Sequence, residues 1–574
     1  MWLRALELTA PIPDKPHRVF PSVIDELAEK FGDAPALVSD RECLTYHDLA
    51  ERSNRYARWA LDHGLGKGDV VCLLMPNRPE YMAIWLGITR IGGVVALLNT
   101  NLSGASLAHC VRIAEPKLII VATELHDRLI RAVPELLDEV MLWVHSDDHL
   151  ERYSGESLSD VERHPVSIHD TALYIYTSGT TGLPKAARVS HFRVMQWSHW
   201  FAGMVDATPD DRMYNCLPMY HSVGGVVATG AVLVGGGSVV IAEGFSARQF
   251  WDDILRWDCT LFQYIGELCR YLLGTGTSLR EKKHRLRMIC GNGLRQDVWS
   301  EFKERFRIPR ILEFYAATEG SFSLYNAEGK VGAIGRIPPF LTHRIPVALV
   351  QYDVQKDEPA RNEQGMCIRC ASNETGEAIG RISASGDAGG RFEGYTNEEA
   401  SKRKVLRNVF KTGDAWFRTG DLMRQDEKGF FYFVDRVGDT FRWKGENVAT
   451  REVSEAICAF QGVRDANVFG VTIPGTEGRV GMAAVVADGG LNLAALRLHL
   501  INCLPGYARP LFLRILGELQ VTGTFKQPKN DLLRDGYDPS ATADALYFND
   551  TEKAAFVPLD EALHSRIQKG QIRL

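Results

Sequence analysis

The chain has no long basic run and no large excess of one charge. Its 66 lysines and arginines against 72 aspartates and glutamates leave a net charge of −6, which gives no nucleic-acid signal. It also lacks a cysteine framework. Eleven cysteines are scattered, and the one close pair, Cys367 and Cys370, has no second pair to complete a zinc site. That pair lies in an alternating run, 366–370, that reads as a strand with opposite-facing side chains. The thiol usage suits a reducing cytosol. No fixed-period repeat and no low-complexity tract is present. The start, Met1-Trp2-Leu3-Arg4, shows no basic region followed by a sustained apolar core, so no signal peptide is expected.

Long apolar runs are also scarce. Residues 223–242 are twenty without a charge, the length of a membrane span. They contain six glycines, with Gly235-Gly236-Gly237 among them. That triplet reads as a turn between a buried helix and a buried strand, Ser238-Val239-Val240-Ile241.

What is present is an ordinary globular composition, 45% hydrophobic and 24% charged over 574 residues, too long for a single core. Val23, Ile24, Leu27 and Phe31 recur at helical spacing after Ser22, which reads as a cap. Residues 70–74, 94–98 and 118–121 are continuous apolar runs typical of strands covered on both faces. Residues 81–91 read as an amphipathic helix. Alternation of this kind predicts an α/β fold with layered, mainly parallel sheets. Near residue 436 the character changes. Val453, Ala456, Ile457 and Phe460 share a helix face, followed by strand-like runs at 466–471 and 483–486. The expected organisation is a large N-terminal α/β domain, 1–435, a hinge, 436–441, and a small mobile α+β lid, 442–574.

The chemistry concentrates in short segments. Tyr176-Thr177-Ser178-Gly179-Thr180-Thr181-Gly182-Leu183-Pro184-Lys185 follows the apolar run 172–175. It brings backbone N–H groups, hydroxyls and one ammonium to a strand end, as a polyphosphate requires. Its glycines let the main chain approach an anion without a Cβ in the way. It is not a Walker loop, because Lys185 follows Pro184 and precedes Ala186. Tyr315-Ala316-Ala317-Thr318-Glu319-Gly320 offers a ring to stack on a purine and a carboxylate to hold Mg²⁺ beside phosphates. Phe417-Arg418-Thr419-Gly420-Asp421 ends in an Asp, read as lying on a turn, that can accept from two ribose hydroxyls. The near copy Lys411-Thr412-Gly413-Asp414 reads as an ordinary turn. Thr522-Gly523-Thr524-Phe525-Lys526 presents one lysine on a glycine turn.

In this order, these segments and 435–447 resemble the motifs of the acyl-adenylate-forming enzymes: the acyl-CoA synthetases, amino-acid adenylation domains and luciferases. Residues 435–448, 263–272 and 291–296 resemble more closely the fatty-acid transport proteins, also called very-long-chain acyl-CoA synthetases. The resemblance runs from about Phe20 to about Leu533. It implies that a carboxylate attacks the α-phosphate of ATP to give acyl-AMP, and that the coenzyme A thiol then displaces AMP. It implies further that Thr177, Ser178, Gly179, Thr180, Thr181, Gly182 and Lys185 cradle the β/γ-phosphates, and that Gly291-Asn292-Gly293 and Tyr315 sandwich adenine. Thr318 would sit by the α-phosphate, Glu319 on Mg²⁺, and Asp421 with Arg436 on the ribose. Lys526 would bridge carboxylate and α-phosphate. His221 matches the family's acyl-pocket histidine, although its residues alone read as a core histidine. After adenylation the lid would rotate, withdrawing Lys526 and bringing Lys444, Gly445, Glu446 and Asn447 to the thioester site. Where many relatives have Asp or Lys at the pivot this chain has Gly438, with Asp439 beside it. Ala316 stands where many relatives have Gly, and Phe417 where Tyr is common.

The resemblance implies a long or very long fatty acid as substrate, held in an apolar tunnel for which Trp197, Trp200, Met204, Tyr220, Val223 and Val227 are candidates, each equally readable as core. A bulky steroid-type acid is the alternative substrate. A fatty-acid carrier with incidental ligase activity is the alternative function. A cytosolic enzyme that touches the bilayer to collect its substrate is expected. Oligomeric state is not legible.

Overall fold

The computed structural model describes residues 1–136, 139–145, 150–177, 183–354, 356–383, 391–444, 446–474, 476, 478–519 and 529–572. The chain divides into two compact units, Met1–Pro338 with Ile382–Val405, and Pro339–Arg381 with Leu406–Leu574.

In the first unit two sheets share one core. One has the order Met141–His145, Leu118–Ala122, Val70–Leu74, Val94–Leu97, Thr171–Thr177, Lys185–Ser190. Its pairs are parallel except the last, which is an antiparallel hairpin. The other runs from Ser323–Asn326 through Ile311–Ala316, Met288–Asn292, Leu261–Ile265, Arg212–Asn215 and Ser238–Ile241 to Pro35–Val38. Alternation fixes the layers. Val71 and Leu73 enter the shared core, while Cys72 and Leu74 join a second cluster with Leu107, Val111 and Leu129. Strands covered on both faces need continuous apolar runs, so 70–74, 94–98 and 118–121 were readable as such.

Two sequence expectations are corrected here. The helix Pro79–Arg90 is buried from Pro79 through Thr89, so the 81–91 segment is not amphipathic. A helix packed in the shared core is apolar all round. The helix expected after Ser22 spans Phe20–Phe31, with Val19 at its N-cap and Pro21 in its first turn, where a missing N–H costs nothing.

Residues 223–242 form a π-helical turn Val223–Val227, a helix Ala228–Val234 and the strand Ser238–Ile241. Among the described residues no helix is long and apolar enough to cross a membrane. Trp200, Met204, Tyr220 and Val227 are buried in the shared core, and Trp197 and Val223 pack against it.

The second unit contains an antiparallel sheet in the order Val347–Val350, Thr375–Arg381, Ala415–Gln425, Phe430–Arg436. A five-stranded sheet follows: Val463–Val471, Val480–Ala487, Phe512–Leu516, Ala545–Asp550, Ala555–Pro558. Helices Thr450–Cys458 and Leu493–Cys503 bury Val453, Ile457, Leu496 and Leu500 on one face of it. The α+β character expected of the C-terminal part is present. The compact units do not break at 435/436, however. Residues 436–441 lie inside the second unit, because the hairpin continues to Arg436 and the Asp435 carboxylate accepts from Thr450 N at 2.5 Å. Cys367 lies on an isolated bridge with Arg361, and Cys370 follows a second bridge, Arg369 with Val350; neither is in a continuous strand.

Candidate active site

The phosphate-loop candidate joins two antiparallel strands. Thr177 ends one strand and is paired in register with Lys185, the first residue of the return strand. Ser178, Gly179, Thr180, Thr181 and Gly182 lie outside the described residues. Lys185 Nζ lies 5.7 Å from the Tyr395 ring centroid. Burial, with the Lys404 and Arg403 cations nearby, holds its ammonium below the ordinary lysine range, and Glu319 acts in the opposite sense.

The strand Ile311–Ala316 carries Tyr315 to its end, half-buried, 6.0 Å from the Phe322 ring. The loop beyond it is anchored from two sides. Arg193 Nη1 donates to the Thr318 carbonyl at 2.5 Å, and the Thr318 and Ser222 hydroxyls are 3.2 Å apart. Glu319 is buried. Its Oε1 accepts from the Tyr395 hydroxyl at 2.6 Å, and Lys404 Nζ stands 4.0 Å away. Cations beside a buried acidic side chain form a donor set that fits a polyphosphate together with a divalent ion.

Gly291 and Asn292 close the neighbouring strand, Met288–Asn292, in which Gly291 pairs with Glu313. Gly293 has φ +80°, a conformation that only glycine adopts readily. A Cβ on Gly291 would lie 2.2 Å from the Tyr264 carbonyl. The turn is pinned by Glu313, which accepts from Leu294 N at 3.1 Å and from the Tyr264 hydroxyl. The buried Asn292 Oδ1 and Gln263 Nε2 have no protein partner. Orphaned buried polar atoms call for a ligand or a water, and an amide oxygen is an acceptor that an exocyclic amine can meet.

His221 is half-buried with its ring 4.6 Å from that of Tyr220, and its carbonyl accepts from Gly225 N at 2.8 Å. A Cβ on Gly225 would fall 2.0 Å from the Met219 carbonyl. The close approach of these two chain segments therefore requires glycine.

Within the second unit, Asp421 lies inside the strand Ala415–Gln425, in register with Arg436, and not on a turn. Arg436 Nε stands 3.8 Å from its carboxylate. The copy at 411–414 is the turn, since the Asp414 carboxylate accepts from Val409 N, Phe410 N and Lys411 N. Gly438 is exposed with φ +90°, and Asp439 Oδ2 pairs with Lys529 Nζ at 3.2 Å. Lys444, Glu446 and Asn447 are exposed around a hairpin turn between Phe441–Trp443 and Glu446–Val448. Gly445 and Lys526 lie outside the described residues.

The sequence reasoning missed Tyr395, Arg193 and Lys529. Tyr395 follows a glycine-rich polar stretch with no periodic signal, and Arg193 sits in a helix whose periodicity speaks only of core.

A two-sheet α/β unit with these loops at the ends of strands from both sheets defines an adenylate-forming enzyme. Residues 24–370 match the family of AMP-binding enzymes, and residues 452–526 its C-terminal domain. The fold is that of the ATP-bound crystal structure of MatB from Rhodopseudomonas palustris, with a TM-score of 0.76 at 24% identity over 90% of this chain and 99% of that one. Within the AMP-binding enzymes the chain belongs to the long-chain fatty acid transport proteins. It is 42% identical over 554 residues to mouse (Mus musculus) long-chain fatty acid transport protein 6, covering 94% of this chain and 88% of the relative. To mouse long-chain fatty acid transport protein 1 it is 39% identical over 572 residues, 96% of this chain and 88% of the relative. It is an ATP-dependent, AMP-forming acid–CoA ligase that works through an acyl-adenylate.

Proposed function

We propose that the chain activates long-chain or very-long-chain fatty acids with Mg²⁺ and coenzyme A. A carboxylate is a poor acyl donor until its oxygen is bound to phosphorus and leaves as AMP. In this proposal Lys185 and the 177–182 turn hold the β/γ-phosphates, Gly291-Asn292-Gly293 and Tyr315 hold adenine, and Asp421 with Arg436 holds the ribose. Thr318 sits by the α-phosphate. Lys526 bridges the attacking carboxylate and the α-phosphate. A divalent ion held by Glu319 would neutralise phosphate charge. His221 borders the acyl group, and Lys444, Gly445, Glu446 and Asn447 serve the thioester step after movement about Gly438 and Asp439.

The observation that best supports this proposal is the buried Glu319 carboxylate set among Lys404, Lys185 and the Tyr395 hydroxyl. The fatty-acid assignment leans on the relatives' name and on the Tyr220 ring beside that of His221. Purified protein with ATP, Mg²⁺, oleate and coenzyme A is expected to release AMP and pyrophosphate. No acid-dependent release across a panel from short to very long chains would end the proposal.

The relatives' name also supports a second reading, in which the chain promotes fatty-acid uptake and ligation is incidental. Lys526→Ala separates the two. Loss of one such charge-stabilising donor costs about 10²–10³ in rate. Uptake in cells that survives this loss would establish transport as a separate property.

A further inference from the structure

Residues 391–397 contain none of the motifs singled out in the sequence, yet they form a strap between the phosphate hairpin and the loop that carries Glu319. The strap pairs along the edge of the strand Lys185–Ser190. Tyr395 bridges Ala187, Arg188 N donates to the Gly394 carbonyl at 3.0 Å, and Thr396 N donates to the Ala186 carbonyl at 3.0 Å. Its start is fixed at two points. The Glu393 carboxylate accepts from Ser190 N at 2.7 Å and from the Ser190 hydroxyl, and the Arg391 carbonyl accepts from Arg193 Nη2 at 2.9 Å. The same guanidinium donates to the Thr318 carbonyl. Strap, hairpin and Glu319 loop are therefore tied into one piece.

We propose that Tyr395 is a positioning residue for adenylation: its phenol, held by the strap, commits Glu319 Oε1 and so orients the carboxylate toward the phosphate hairpin. This rests on the assignment of Glu319 to the nucleotide's metal ion. A hydroxyl-to-carboxylate bond is charge-assisted and strong in a buried setting. Tyr395 is 4% exposed and Glu319 8%, so loss of the bond leaves a buried carboxylate short of a donor. Lys404 at 4.0 Å attracts the same oxygen as an ion pair without the angular definition of a hydrogen bond. A neutral donor orients the carboxylate without adding a charge that competes with a metal ion, as groups behind metal ligands commonly do.

Tyr395→Phe isolates the hydroxyl. It keeps the ring under Lys185 and the backbone of the strap. Three measurements on the full-length chain test it: the Mg²⁺ concentration that half-saturates ATP binding by calorimetry, acid-dependent ATP–pyrophosphate exchange, and thioester formation from supplied acyl-adenylate, with thermal unfolding as control. The expected result is a roughly 10–100-fold rise in the half-saturating Mg²⁺, a comparable fall in exchange, and thioester formation within about twofold of the parent. In a Glu319→Gln background the same change should have no further effect, a coupling that a merely structural role would not produce. If Glu319→Gln cripples Mg²⁺-dependent binding while Tyr395→Phe matches the parent, the Tyr395 inference is overturned. If Glu319→Gln itself leaves Mg²⁺ dependence intact, the assignment of Glu319 fails first, and the role of Tyr395 with it.

Discussion

Lys529 Nζ stands 3.2 Å from Asp439 Oδ2 and 3.2 Å from the Thr450 hydroxyl, so one ammonium ties the turn after the strand Phe430–Arg436 to the first residue of the helix Thr450–Cys458. Both side chains are partly exposed, 19% for Lys529 and 33% for Asp439. Solvent screens such a pair, and its coupling should be small, about 0.5–1 kcal/mol. A double-mutant cycle on Asp439→Asn and Lys529→Met, read by urea unfolding, should return that value and shrink in 1 M salt.

Gly438, next to Asp439, has φ +90°, and a Cβ there would meet nothing within 4 Å. Replacement by Ala therefore costs backbone strain alone, about 1–2 kcal/mol. If the lid turns about this point, Gly438→Ala should slow the complete reaction more than pyrophosphate exchange. Equal slowing of both would place the pivot elsewhere.

Asp435 is buried and accepts from Arg436 N, from the Thr440 hydroxyl and from both the N–H and hydroxyl of Thr450. Asp435→Ala strands these donors, at roughly 1–3 kcal/mol for a buried unsatisfied group. A lower urea midpoint for the second unit is expected, with little change in the first.

Lys185 is held below the ordinary lysine range by burial and by Lys404 and Arg403. If Lys185 holds the β/γ-phosphates as proposed, that contact is complete while the ammonium is protonated and is lost as pH rises through the lowered pKa. ATP affinity should thus fade at a pH below the value near 10.4 where a solvated lysine titrates. Lys185→Met should bind ATP weakly at neutral pH and lose this alkaline limb.

His191 and His199 are buried in the helix His191–Val205, and burial pushes each imidazole down to about 4. The unfolded chain, titrating near 6.5, binds protons that the folded chain refuses between those values. Stability is therefore full above about pH 6.5 and falls toward pH 4, by roughly 3 kcal/mol per histidine at the acid end. Urea midpoints measured from pH 7.5 to 4.5 should decline accordingly, and His191→Gln should flatten the decline.

Much of the first unit was legible because its strands are covered on both faces, as at Val70–Leu74, where the run of apolar residues leaves no other assignment. The helix Pro79–Arg90 misled because Arg90 in its last turn looks like the edge of a polar face until both neighbouring layers are present. Asp421 looked like a turn residue because Gly420 precedes it. The strand carries on past it, and its register shifts between Leu422 and Met423. Tyr395 was out of reach because its partner, Glu319, is 76 residues away, and only edge pairing with the strand Lys185–Ser190 brings them together.

One guanidinium, that of Arg193, holds both the Thr318 carbonyl and the Arg391 carbonyl. Two loops distant in the chain thereby share a single fastening, and neither is a separable module. A chimera that imports the 315–320 loop from a relative with a different acid preference will need to import residues 391–397 and the start of the helix His191–Val205 with it.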